Sequence, residues 1–270
     1  VTVKTAYDKA RAENRAALVG YLPAGFPTFD GAVEAAKAMV DAGCDVIEIG
    51  LPYTDPMMDG PTIQDAVHRA LVGGVRVADV FRTVEAVAAT GVPTLVMTYW
   101  NPVDHYGVER FARDLAAAGG SGLITPDLTP EEGGDWLAAA DAHDLDKVFL
   151  VALSSTDERI EAITRASRGF VYAASLMGVT GARTAIDTGA PRLVERTREI
   201  IGRDGRDLPV GLGLGVGNGA QAAEVAGFAD GVIVGSAFIR RLLDALDLAA
   251  GVAGVRALAA ELAEGVRKGR

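Results

Sequence analysis

The sequence predicts an α/β fold of the (β/α)8 TIM-barrel class, with an extra N-terminal helix and an extended C-terminal helical segment. Three observations lead there. Short apolar runs alternate with Ala-rich stretches of helical period along the 270 residues, a pattern that implies βαβ units and a parallel sheet. The apolar runs number eight, and eight such units in about 250 residues match a closed barrel. No linker or low-complexity segment interrupts them, so residues 1–270 read as one domain. An open doubly wound sheet is the competing architecture.

The elements follow in order. A helix over 5–14 precedes the first strand. The strands are "AALVGYL" (16–22), "DVIEIGL" (45–51), "PTLVMTY" (93–99), "SGLITP" (121–126), "KVFLVAL" (147–153), "GFVYAAS" (169–175), "LPVGLGL" (208–214) and "DGVIVGS" (230–236). Helical stretches such as "FDGAVEAAKAMVDAG" (29–43) and "VERFARDLAAAGG" (108–120) lie between them. A long helix covers 237–268, with Gly251 and Gly254 as the candidate break points.

Composition excludes several functions. The chain is 49% hydrophobic and 23% charged, as a folded protein is. Its net charge is −10 and no Lys/Arg run offers a track for a phosphate backbone, so nucleic acid is not an expected partner. Cys44 is the only cysteine, which rules out an intrachain disulfide and suits a reducing cytoplasm. Neither a signal-peptide core nor a run of about 20 apolar residues is present, so no membrane role is expected. His68, His105 and His143 are isolated in or near helical stretches, and no metal site is expected. Of five lysines only Lys147 adjoins a strand, at its N-terminal end. A Schiff-base aldolase needs its lysine at the opposite end, so that chemistry is excluded.

The second strand carries the first catalytic signal. Alternate strand residues face inward, so Val46, Glu48 and Gly50 share one face and Ile47 and Ile49 the other. Bulky Ile47 and Ile49 suit the helix-facing side, which aims Glu48 into the barrel near its C-terminal mouth. A buried carboxylate is costly unless it is paired, protonated or used. Glu48 is thus a candidate general acid or base, or a structural Glu bonded to a neighbouring strand or a water. Asp55 and Asp59 follow in a Gly/Pro-bounded loop on the same side. Taken alone, each reads more readily as a turn or cap residue than as a catalyst. Loops of this kind often act as lids.

The later strands carry a second signal. "SLMGVTGAR" (175–183), "GLGLGVGN" (211–218) and "GSA" (235–237) fall at the mouths of strands six, seven and eight. Barrel phosphate sites form there, from backbone N–H groups that glycine lets approach the anion. A small phosphorylated substrate is the expectation.

Together these segments are similar to the tryptophan synthase alpha subunit family. "EIGLPYTDPMMDGPTIQ" (48–64) matches its signature, and "LVMTYWNPVDHYG" (95–107), "LITPDLTPEE" (123–132), "YAASLMGVTGAR" (172–183) and "VIVGSAFIR" (232–240) match in order. The resemblance implies retro-aldol cleavage of indole-3-glycerol phosphate to indole and glyceraldehyde 3-phosphate. It implies Glu48 as general acid/base and Asp59 as the second catalytic carboxylate. Tyr21, Met97 and Tyr172 would line an indole pocket, or else are ordinary barrel core. Thr180 would bond Asp59 on closure, and Asp127 would bond the glyceryl group or a lid residue. The phosphate would sit on Gly181, Gly215, Gly235 and Ser236, with Gly213 an alternative to Gly215. No cofactor is implied for this chain. The pyridoxal phosphate would belong to a beta subunit in an α2β2 complex that receives indole through a tunnel. Asp55, Pro56, Met57, Met58, Asn101 and Pro102, in the strand 2 loop and an "NPVD" loop, would face that partner. Two positions depart from the pattern: Leu153 stands where proline is expected, and Met57–Met58 are bulky for their loop. A catalytically weak activator of the beta subunit, another phosphate-binding barrel enzyme, and a stand-alone indole-releasing lyase are the competing functions.

Overall fold

The computed structural model describes residues 2–174, 189–213 and 215–269. Its elements run α1 (Val3–Ala12), β1 (Ala17–Pro23), α2 (Phe29–Asp41), β2 (Val46–Gly50), α3 (Pro61–Val72), α4 (Val77–Ala88), β3 (Thr94–Met97), α5 (Trp100–Tyr106), α6 (Val108–Ala117), β4 (Gly122–Ile124), α7 (Gly134–Ala142), β5 (Asp146–Val148), β6 (Leu150–Ala152), α8 (Asp157–Ala166), β7 (Val171–Ala174), α9 (Ala190–Gly202), β8 (Val210–Gly213), α10 (Gly219–Ala226), β9 (Gly231–Val234), α11 (Ser236–Leu243) and α12 (Leu248–Lys268).

The strands form one parallel sheet in the order β5-β4-β3-β2-β1-β9-β8-β7-β6. β1 lies between β2 and β9, so the first and last staves are neighbours, as in a barrel. β5 and β6 are two halves of the single predicted strand 147–153, divided at Phe149. The first half pairs with β4 and the second with β7. The Phe149 carbonyl still accepts the Tyr172 N–H at 3.1 Å, so the cylinder is nearly closed across the division.

Two buried clusters separate the faces of the staves. Ala17, Val19, Val46, Leu95, Ile124, Val148, Phe170 and Ile233 point inward. Ile47, Ile49, Val96, Leu123, Val151 and Leu212 pack outward against the helices. The alternation expected for β2 is therefore present. Helix α1, capped by the Thr2 hydroxyl, plugs the N-terminal end with Val3, Ala6, Tyr7 and Ala10. Arg15, 4% exposed, grips Asp45 with two hydrogen bonds of 2.6 and 2.8 Å, and Asp45 also accepts the Leu18 N–H. This joins the start of β1 to the start of β2.

Two expectations are corrected. The C-terminal helical segment breaks at 244–247, where Asp247 caps α12 by accepting the Ala250 N–H, and not at Gly251 or Gly254. Those glycines lie inside α12. A Cβ on Gly251 would meet Leu242 at 3.1 Å, so the glycine leaves room where α11 and α12 approach closely. The "NPVD" segment is also helical, within α5, because Asp127 caps that helix from a distant loop. Its carboxylate accepts the Trp100 N–H at 2.9 and 3.1 Å.

Candidate active site

Glu48 occupies the middle of β2, beside Tyr21 of β1 and Leu95 of β3. It is fully buried, and neither carboxylate oxygen has a hydrogen-bond partner among the described residues. Loss of hydration pushes its pKa up to about 8. The carboxyl is therefore mostly protonated near neutrality and gives up its proton a little above it. The structural alternative, a Glu satisfied by a bond to a neighbouring strand, does not describe it.

Asp59 stands at the end of the β2–α3 loop. Burial raises its pKa, opposed by a hydrogen bond from the Tyr99 hydroxyl to Oδ2 at 3.3 Å. Its carbonyl accepts from Gln64 Nε2 at 2.7 Å. Tyr99 is a partner of Asp59 that the sequence analysis did not single out. Its hydroxyl also accepts the Met57 and Met58 N–H groups, at 3.0 and 2.9 Å. The signal was available: Leu95, Met97 and Tyr99 alternate, and the last of the three falls at the strand's mouth.

A cleft above the barrel is lined by Tyr21, Leu51, Tyr53, Asp59, Met97 and Tyr99. Tyr21 is buried, while Met97 and Tyr172 are half-buried at the edge of the interior cluster. Two glycines make room for these rings. A Cβ on Gly50 would overlap the Tyr21 hydroxyl end, and one on Gly213 would overlap that of Tyr172. Gly213 thus gives its space to a side chain. Gly215 instead adopts φ 65°, a left-handed conformation that favours glycine. Gly235 and Ser236 start α11, and a Cβ on Gly235 would meet Tyr21 at 3.0 Å. Thr180 and Gly181 lie outside the described residues. Asp127 caps α5 as described above.

Of the residues assigned to a partner, Asp55 and Met57 are exposed, Met57 at 67%. Pro56, Met58 and Pro102 are half-buried. Asp55 accepts from Thr54 Oγ1, and exposed Asn101 donates to the Tyr53 hydroxyl at 3.2 Å. A cavity of about 650 Å³ opens at the opposite, N-terminal end, lined by residues including Lys4, Asp146, Arg168 and Arg206. Asp146 and Arg168 are ion-paired at 3.2 Å there. Among the described residues no three His, Cys, Asp or Glu side chains cluster to hold a metal, and no helix is long and apolar enough to cross a membrane.

A near-closed parallel barrel with a neutral, desolvated carboxyl under its C-terminal mouth defines a class: barrel enzymes built for proton transfer at the strand ends. The chain belongs to the tryptophan synthase alpha chain family, whose model matches residues 7–267. It is 65% identical over 265 residues to the tryptophan synthase alpha chain of Salinispora arenicola, covering 98% of this chain and 97% of that one. Its identity to the Streptomyces coelicolor alpha chain is 62% over 259 residues, covering 96% of this chain and 94% of the other. Among solved structures, a chain of Mycobacterium tuberculosis tryptophan synthase superposes with a TM-score of 0.91 at 56% identity, covering 98% of both chains.

Proposed function

We propose that Glu48 and Asp59 carry the family's reaction in this chain, the retro-aldol cleavage of indole-3-glycerol phosphate to indole and glyceraldehyde 3-phosphate. The observation that carries the assignment is the isolated Glu48 carboxyl, held at about 8 by burial. Cleavage needs a proton at indole C3, because an indole carbanion is a poor leaving group. The protonated ring is an indoleninium-like cation. A base then takes the proton of the adjacent side-chain hydroxyl as the C–C bond breaks. A carboxyl that titrates near working pH can do both in turn. Asp59, with Oδ2 turned to Tyr99, would accept the indole N–H on Oδ1 and stabilise the positive charge that develops there.

Tyr21, Met97 and Tyr172 would form the indole pocket. Gly215, Gly235 and Ser236 would hold the phosphate, with the N–H groups at the start of α11 supplying hydrogen bonds. Gly213, filled by Tyr172, suits pocket shape better than anion contact. The whole chain would act as one barrel domain.

This is a lyase of tryptophan biosynthesis. As in its family, the pyridoxal phosphate belongs to the beta subunit and none to this chain. Indole passes to that partner, and the exposed β2 loop with the start of α5 would form part of the docking surface. The test is steady-state cleavage of indole-3-glycerol phosphate with and without the cognate beta subunit, for the parent and for Asp59→Asn. Loss of turnover in the variant, with substrate affinity little changed, is expected. A change confined to KM would reduce Asp59 to a binding role.

A further inference from the structure

We propose that Tyr99 is a positioning residue for Asp59: its hydroxyl gathers the Met57 and Met58 N–H groups, donates to the Asp59 carboxylate, and so presets the β2 loop for catalysis. The inference rests on the reading of Asp59 above.

A tyrosine hydroxyl has one proton and can accept two hydrogen bonds. Here all are used. Met57 N donates at 3.0 Å, Met58 N donates at 2.9 Å, and the proton points to Asp59 Oδ2 at 3.3 Å. Two consecutive amides converging on one oxygen fix the backbone immediately before Asp59, and with it the direction from which the carboxylate enters. The Met57 side chain adds little to this hold, since it is largely exposed.

The platform under the loop is rigid by comparison. Tyr99 is 6% exposed and its ring lies 5.6 Å from that of Tyr53. The next residue, Trp100, is fixed through its N–H by Asp127. From the other side, Gln64 of α3 holds the Asp59 carbonyl at 2.7 Å. Asp59 is thus gripped by its side chain from the end of β3 and by its main chain from α3.

Burial pushes the Tyr99 hydroxyl up to about 12, so it keeps its proton through the working range and stays a donor. A hydrogen bond to an ionised carboxylate favours that form. It opposes the burial that raises Asp59 and leaves Oδ1 for the indole N–H.

Tyr99→Phe keeps the ring and removes the hydroxyl. The experiment uses the chain in complex with the cognate beta subunit and compares parent, Tyr99→Phe, Asp59→Asn and the double variant. Amide hydrogen exchange at Met57 and Met58 should quicken at least ~10-fold, while Ile47 and Ile49 in β2 keep their protection. kcat for cleavage should fall at least ~10-fold, with KM within about threefold and the acid limb of the pH profile moved upward. The double variant should be no worse than Asp59→Asn. If Asp59→Asn itself turns over normally, the reading of Asp59 fails and the proposal with it. If Asp59→Asn is crippled but Tyr99→Phe keeps the parent kcat and pH profile, the proposal alone is overturned. Faster exchange that extends equally to Ile47 and Ile49 would also overturn it, as would losses that multiply in the double variant.

Discussion

Glu48→Gln should remove a pH dependence from the stability and most of the activity, and the two effects are measured separately. In the unfolded chain the Glu48 carboxyl titrates near 4.5, and in the fold near 8. Between those values the folded state holds a proton that the unfolded state has released. The parent therefore loses stability as pH rises through this window and levels off above the folded pKa. Each pH unit inside the window is worth about 1.4 kcal/mol. From about pH 5 to pH 7.5 the parent should lose about 3 kcal/mol that the glutamine variant keeps. The raised carboxyls of Asp59 and Asp146 remain in both proteins and cancel in the difference. The buried amide has its own desolvation cost, but it does not titrate and so shifts the whole curve. The assay is urea unfolding of both proteins across this pH range. In thermal scans the same difference is about 6–12 °C, at about 2–4 °C per kcal/mol for a chain of this size. Cleavage by the variant should fall at least ~10²-fold, with binding little changed. Parallel stability curves would refute the buried, proton-retaining carboxyl. A variant within a few-fold of the parent rate would remove Glu48 from the mechanism.

The cleavage profile against pH should be bell-shaped. It should decline above about 8, as Glu48 loses the proton it donates, and rise from the acid side above the ordinary carboxylate value, as Asp59 ionises; rate measurements that stay flat through about pH 8–9 would contradict the assignment. Gly50→Ala places a methyl group against the Tyr21 ring, so KM for indole-3-glycerol phosphate should rise at least ~10-fold, about 1.4 kcal/mol; an unchanged KM would mean that Tyr21 yields without consequence. Ser236→Asp puts a carboxylate at the start of α11 and should weaken glyceraldehyde 3-phosphate binding strongly, whereas affinity equal to the parent's would place the phosphate elsewhere. Addition of the cognate beta subunit should speed cleavage at least ~10-fold, and Asp55→Ala should cut that activation far more than the basal rate; equal losses in the two assays would assign Asp55 to the chemistry or the fold.

Much of the barrel was legible because it is written in local patterns. Alternation in "DVIEIGL" sorted Val46 from Ile47 and Ile49 and turned Glu48 inward, and the two buried clusters follow that division. The spacing of Glu48, Asp55 and Asp59, with the glycine segments at the later strand ends, carried the family. Strand ends were legible only to within one or two residues: β4 covers Gly122–Ile124 where 121–126 was expected. Pairing stops where the chain turns toward a helix, which depends on what the neighbouring stave offers.

What the sequence by itself determined was periodicity, residue type and motif spacing, because these depend on near neighbours along the chain. What only the tertiary structure decided depends on residues far apart in it. Helix α5 exists where a loop was expected because Asp127 caps Trp100 from 27 positions away. Gly251 and Gly254 both lie inside α12 and neither ends it: a Cβ on Gly251 would crowd Leu242 of α11 at 3.1 Å, while one on Gly254 would make only ordinary contact with Arg241. Tyr99 became visible as a hub only when β3 brought its hydroxyl to the β2 loop, some 40 residues earlier. The pKa of Glu48 is likewise a property of the assembled barrel. A carboxyl in an apolar run is an expectation of burial, but the cost of its charge is set by how completely the surrounding staves exclude water.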